Sequence, residues 1–271
     1  MLGAMLGDII GSPYEFNTGN KETDFPLFIN KSRFTDDTVM TFAVCNALLA
    51  SPLNADDKTI KANLIKAMQG WGQAFPNAGY GGTFIKWLFA ETPVAYNSFG
   101  NGSAMRVSSV GWLYDDIART RHVARLTAEV SHNHPEGVKG AESVASAIFL
   151  ARNGKTKEEI KEYIEKEFNY NLNRTCDEIR PNYSFDVTCQ GSVPESIRCF
   201  LEGKNYEDTV RLAVSLGGDT DTMGAISGSI AESYWGIPQE LKEKTNEYMT
   251  QNMKDLLDIF NSNKKEVKER E

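Results

Sequence analysis

"DDKTIKANLIKAMQGWGQAF", residues 56–75, places Ile60, Leu64, Ala67, Met68 and Trp71 on one face at steps of three and four, the spacing of an amphipathic helix. Asp56 or Asp57 is suited to cap its start. Outward from this stretch the same pattern recurs along most of the chain. From Arg119 it runs through Val123, Leu126 and Val130; Pro135 then restarts the chain into Val138, Ala141, Ala145, Ile148 and Phe149, with Gly154 as the stop. Thr156 and Glu159 have capping-box spacing ahead of Ile160, Tyr163 and Ile164, and Asn205 precedes Tyr206, Val210, Ala213 and Val214. Ser192 ahead of "VPESIRCFLE" puts Pro194 in a first helical turn. One long last helix is expected from Pro238 through Met249, Met253, Leu256 and Phe260. No segment alternates with period two between hairpin turns, and "NYSFDVT" at 182–188 comes nearest. The expected fold is all-α, a single compact multi-helix domain over residues 1–262 followed by a charged tail at 263–271.

Bulk properties narrow the function classes. With 41% apolar and 24% charged residues in 271, the chain is of ordinary globular composition and long enough to bury a sizeable core. Its formal net charge of −8 offers no broad positive field, which argues against general nucleic-acid binding and against an anionic membrane surface. The apolar start "MLGAMLGDIIGS" carries Asp8, lacks a basic flank and is too short to span a bilayer. Cys45, Cys176, Cys189 and Cys199 are scattered without CxxC spacing, so neither a zinc knuckle nor a disulfide framework is indicated and a reducing, cytoplasmic setting is expected.

Two acidic stretches carry the chemical signal. In "FTDDTVMT", residues 34–41, Thr35, Asp36, Asp37 and Thr38 open a helical pattern. One acidic residue there would serve as a cap, whereas two adjacent carboxylates repel unless a cation lies near them. In "LGGDTDTMGAISG", residues 216–228, Asp219, Asp221 and Thr222 precede a helix nearly without side-chain bulk. An EF-hand loop is excluded because its fifth position is Met223 and its twelfth is Ile230. A DxDxT phosphatase loop fits poorly, since the surrounding periodicity is helical. The small residues from Gly224 to Ala231 imply close backbone packing in the middle of a bundle.

Three further stretches are candidates. "NSFGNGSAMR", residues 97–106, reads either as a plain Gly/Asn turn or as a loop whose amides approach an anion. "SHNHPEG", residues 131–137, holds His132 and His134 at a spacing that fits a metal pair or a single substrate-facing histidine. Glu15 follows the turn of Gly11, Ser12 and Pro13, an unfavourable place for an acid at a helix C-terminus.

In order, "GDIIGSPYE", "FTDDTVMT", "GNGSAMR", "SHNHPEG" and "LGGDTDTMGAISG" resemble the motifs of the ADP-ribosylglycohydrolase family, over residues 1 to about 236. The resemblance implies an all-helical hydrolase with two Mg²⁺ or Mn²⁺ ions that releases ADP-ribose from a modified side chain or related compound. It implies Thr35, Asp36 and Asp37 as one ligand triplet and Asp219, Asp221 and Thr222 as the other. It assigns Ser98, Gly100, Asn101 and Gly102 to the loop holding the diphosphate and His132 to the ADP-ribose. Glu15, then Asp36, are the candidates to direct the hydrolytic water. A noncatalytic ADP-ribose binder on the same scaffold is the alternative, disfavoured because all six ligand positions are filled. Residues 169–192 match no feature of the family.

Overall fold

A computed structural model describes residues 1–16 and 21–263. The helix α1 (Leu2–Gly11) is apolar nearly throughout and buried beyond Leu2. A 3₁₀ turn over Ser12–Tyr14, with Pro13 near its start, carries the chain to Glu15. Thr35 caps α2 (Asp36–Leu49), accepting the Asp37 amide. Asp56 caps α3 (Asp57–Ala74), its Oδ1 2.7 Å from the Thr59 nitrogen. Three short helices follow, α4 (Gly82–Leu88), α5 (Gly102–Met105) and α6 (Val110–Leu113). Asp116 caps α7 (Ile117–Glu129), and His134 caps α8 (Pro135–Arg152). The expected stop at Gly154 is real: its φ of +84° is left-handed backbone that glycine adopts without a Cβ clash.

The capping box of Thr156 and Glu159 is present on α9 (Lys157–Phe168). A single turn, α10 (Cys176–Ile179), precedes α11 (Cys189–Glu202), and Asn205 caps α12 (Tyr206–Ser215) as its spacing predicts. The chain closes with α13 (Thr220–Trp235), α14 (Gln239–Asn246) and α15 (Gln251–Asn263). No strand occurs among the described residues; one antiparallel bridge joins Gly100 and Thr188. The fold is all-α, as expected. Of the expected charged tail, residues 264–271 lie outside the described residues.

Two helix boundaries differ from expectation. Thr188, not Ser192, caps α11: its Oγ1 accepts the Gly191 amide at 3.1 Å, while the Ser192 hydroxyl donates back to the Thr188 carbonyl at 2.7 Å. Pro194 therefore lies inside the helix, where its missing N–H removes one intrahelical bond. The expected long last helix is two helices. The turn between them buries Met249 and stacks Tyr248 on Phe28 with ring centroids 6.1 Å apart, and Thr250 then accepts the Met253 amide to begin α15. Tertiary packing of two side chains outweighs continuation of the helix.

At the centre, α1 and α13 run antiparallel and nearly touch backbone to backbone. A Cβ added to Gly3, Gly7 or Gly11 would lie 2.5, 2.0 or 2.2 Å from the carbonyl oxygens of Gly228, Gly224 and Thr220. Spacing by four on one helix meets spacing by four on the other, so the contact is a continuous seam. α13 is buried from Thr220 through Ser233, with α8, α11 and α12 packed around it. α2 packs against α1 and pairs with α3, and α7 pairs with α8. Among the described residues no helix is long and apolar enough to cross a membrane.

Candidate active site

The antiparallel seam decides where the acidic groups meet. It sets the end of α1, and hence Glu15, beside the beginning of α13, where Asp219 and Asp221 stand. Gly217 and Gly218, at φ of +76° and +82°, make the left-handed turn into α13 that a side chain would strain. One carboxylate oxygen each from Glu15, Asp219 and Asp221 lies within 4.8 Å of the others.

The second acidic stretch is tied to the same place by Asp8. This aspartate is fully buried on α1 and accepts four hydrogen bonds: from the Thr35 amide and hydroxyl at 2.8 Å each, and from the Thr38 amide at 3.1 Å and hydroxyl at 2.5 Å. It thereby holds the start of α2 against α1. Asp37 Oδ2 accepts the Thr222 hydroxyl at 3.1 Å and lies 3.3 Å from Thr35 Oγ1, whose proton goes to the nearer Asp8, so residues 35–37 and 219–222 share one cluster.

All twelve residues to which the family resemblance gives a role line one cleft of about 400 Å³. Glu15, Thr35, Asp36, Asp37, Asp219, Asp221 and Thr222 form its acidic end. Ser98, Gly100, Asn101, Gly102 and His132 form another wall. Asn101 joins the two, its side-chain amide donating to Asp219 Oδ2 at 2.7 Å and to Ser192 Oγ at 3.1 Å. In the glycine loop two amides are already engaged, Gly100 with Ser98 Oγ at 3.2 Å and Asn101 with the Val187 carbonyl at 2.8 Å. Of the two histidines only His132 faces the cleft. His134 Nδ1 accepts the Glu136 amide at 3.1 Å as a helix cap, which separates the two readings their spacing left open.

Residues 169–192 take a place here as well. Phe185 and Val187 line the cleft, and the Val187 carbonyl and Cys189 amide clamp residues 99–101 from outside. The Phe185 ring lies 4.8 Å from that of Phe16 at the mouth, and both are substantially exposed, at 41% and 65%. No periodicity marked Phe185. Asp8, equally unassigned, had a usable signal: it is the one charged residue in an otherwise apolar helix, and such a charge requires partners when buried.

The carboxyl groups are crowded beyond what side chains alone relieve. Burial first, then the charge of Asp221, pushes Asp36, Asp37 and Asp219 well above the usual carboxylate range. The same two causes raise Glu15 to about 8 and Asp8 to about 7. Asp37 Oδ1 is buried without a hydrogen-bond partner. Hard oxygen donors, mutual repulsion and an orphaned carboxylate oxygen together fit a divalent cation site, and no cysteine lines the cleft.

Similarity to known proteins agrees with this geometry. The family model for ADP-ribosylglycohydrolase matches residues 1–268. The chain belongs to the ADP-ribosylglycohydrolase family. It is 26% identical over 313 residues to the human ADP-ribosylhydrolase ARH3, covering 88% of this chain and 85% of that protein. It is 23% identical to the ADP-ribosylarginine hydrolase Tri1 of Pseudomonas putida, over 90% of this chain and 72% of that one. A solved structure described as an ADP-ribosylglycohydrolase-related protein complex superposes with a TM-score of 0.71 at 20% identity, covering 97% of this chain and 96% of that chain; it shows the shared fold. Family membership supports hydrolysis of an ADP-ribosyl bond.

An Asp8→Ala substitution leaves the Thr35 amide and the Thr38 amide and hydroxyl without their acceptor, while the Thr35 hydroxyl can turn to Asp37 Oδ2. Each buried donor so orphaned costs about 1–3 kcal/mol, and partial relaxation should leave a net loss of about 3 kcal/mol in denaturant unfolding. An unchanged midpoint would show that Asp8 does not hold α2.

Proposed function

We propose that this protein is a divalent-metal-dependent hydrolase that cleaves the glycosidic bond between ADP-ribose and an acceptor. The observation that carries the reading is the convergence of Glu15, Asp37, Asp219 and Asp221 beside the Gly100–Gly102 loop in one cleft. Thr35, Asp36, Asp37, Asp219, Asp221 and Thr222 would hold two Mg²⁺ or Mn²⁺ ions. Such ions, when bound, neutralise the carboxylates, hold sugar hydroxyls and acidify water.

The chain's own residues then have distinct tasks. Cleavage of a glycosidic bond passes through an oxocarbenium-like state, so the sugar must be oriented and a water placed at the anomeric carbon. Glu15 is only half buried at the cleft mouth, where both water and an acceptor can reach it; it is the candidate to take the water's proton. Asp36 is the second candidate. The loop of Ser98, Gly100, Asn101 and Gly102, backed by His132, would orient the diphosphate. Asn101, through Asp219, keeps that loop in register with the acidic end. Hydrolysis of ADP-ribosylated protein or small-molecule substrates, with and without chelator, tests the reading; tight ADP-ribose binding without turnover on any linkage would favour the noncatalytic alternative.

A pH dependence follows from the crowded acids. In chelator, Glu15 and Asp8 have folded pKa values of about 8 and about 7, above their ordinary values of 4.5 and 3.8. Between these limits the folded protein binds more protons than the unfolded chain, so stability falls as pH rises. The melting temperature should therefore decline from pH 5 to pH 8 in chelator. Added Mg²⁺ or Mn²⁺ should reverse the decline by binding the folded state. A melting temperature that rises over this range in chelator would contradict the crowding.

A further inference from the structure

Behind His132 runs a chain of buried polar groups that neither cation binding nor water activation employs. Arg106 is 1% exposed. Its Nη2 donates to the Thr127 carbonyl at 2.7 Å and to Ser131 Oγ at 2.8 Å. Ser131 is fully buried, and its Oγ lies 2.8 Å from His132 Nδ1. A guanidinium can only donate, so Ser131 oxygen is an acceptor toward Arg106. The single Ser131 proton then has His132 Nδ1 as its acceptor among the described contacts. Nδ1 must be bare, which leaves the proton of the neutral ring on Nε2.

Nε2 points at the glycine loop. A methyl group placed on Gly102 would lie 3.1 Å from it, and one on Gly100 3.5 Å away. The ring is held in this direction by Phe84 and Tyr96, whose centroids lie 6.1 and 5.8 Å from its own. Burial, with the Arg106 charge behind it, keeps His132 well below the usual imidazole range and hence neutral. Arg106 itself is pushed down only to about 10 and remains charged. No described carboxylate pairs with Arg106, and its Nε has no hydrogen-bond partner. Its side chain also borders the cleft and lies over the Phe84 ring, 5.7 Å from the centroid, so its charge is met by a ring face and two neutral acceptors and not by an ion pair.

We propose that Arg106 and Ser131 are positioning residues that fix His132 as the Nε2–H tautomer, so that the ring donates a hydrogen bond to an anionic oxygen of the substrate lying over Gly100–Gly102. The opposite tautomer would turn a lone pair toward that oxygen and repel it. The inference rests on the functional reading above for the identity of the anion, which is a diphosphate there. The hydrogen-bond chain stands on the protein alone.

Long-range ¹H–¹⁵N correlation spectra of the labelled full-length protein test the tautomer directly, since the chain has three histidines and His132→Gln identifies the signal. The wild type should show a bare Nδ1 and a protonated Nε2. Ser131→Ala should give a tautomer mixture, and Ser131→Thr, which keeps the hydroxyl, should restore the wild-type pattern. Calorimetric titration with ADP-ribose supplies the second arm. Ser131→Ala should weaken binding about tenfold, the scale of one hydrogen bond to a charged group, and should add nothing in a His132→Ala background. A protonated Nδ1 in the wild type, or equal weakening by Ser131→Ala with and without His132, overturns the proposal. If the wild type binds no ADP-ribose, the functional reading falls, and the spectrum still decides the tautomer.

Discussion

Asp219→Ala is expected to lose more than about 100-fold of the hydrolase activity, because even the outer partners of metal ligands are worth about 10–100-fold. The fold should survive the change. Burial and the neighbouring Asp221 make the Asp219 carboxylate unfavourable where it stands, so its removal relieves repulsion in the cation-free protein. Asn101 loses one acceptor but keeps Ser192 Oγ. The melting temperature in chelator should be equal to or above that of the wild type, and the rise produced by Mg²⁺ or Mn²⁺ should disappear. The pairing of lost activity with unharmed stability distinguishes a cation ligand from a structural aspartate. A variant turning over ADP-ribosylated substrate at the wild-type rate would remove Asp219 from the site.

Gly7→Ala carries the largest expected structural effect. The added carbon would sit 2.0 Å from the Gly224 carbonyl oxygen and 2.9 Å from the Ala225 nitrogen, so the obstacle is backbone on a helix buried along most of its length. Overpacking a core typically costs about 1–3 kcal/mol, and a clash that cannot be relieved by a rotamer change should reach or exceed the upper value. Against a total stability of about 5–15 kcal/mol for ordinary domains, Gly7→Ala should remove a large share of it, and the bulkier Gly7→Val more. Gly70→Ala is the internal control. It also lies within a helix, α3, but its added Cβ meets nothing within 4 Å, so it should stabilise by up to about 1 kcal/mol through helix propensity. Denaturant midpoints at constant slope read both effects. Equal midpoints for Gly7→Ala and the wild type would contradict the close seam.

Much of this architecture was legible in local sequence because helices advertise themselves locally. Thr156 and Glu159, Asn205 and Asp56 each mark a start through hydrogen bonds made within four residues of themselves. The acidic stretches were legible for a different reason: adjacent carboxylates are costly, and their presence asks for a compensating charge. What escaped depends on partners distant in the chain. Asp8 acquires its meaning only from Thr35 and Thr38, and Phe185 only from Phe16 and the clamp on residues 99–101. Ser192 and Thr188 are both favoured cap residues, with serine the better by composition; the bridge that pulls Thr188 onto Gly100 chooses the other. The break after Asn246 has the same origin, since burial of Met249 and the Tyr248 stack are invisible to helical periodicity.

The pairing of α1 with α13 has a consequence for biosynthesis. Residues 2–11 leave the ribosome well before their partner, which spans residues 220–235, so the nascent chain carries a sticky, narrow-sided segment for roughly 10–40 s at ordinary elongation rates. Closing so large a loop is slow by its nature. Until Trp235 has been made, the glycine face of α1 has no mate to cover it, so a waiting time is built into the order of the chain.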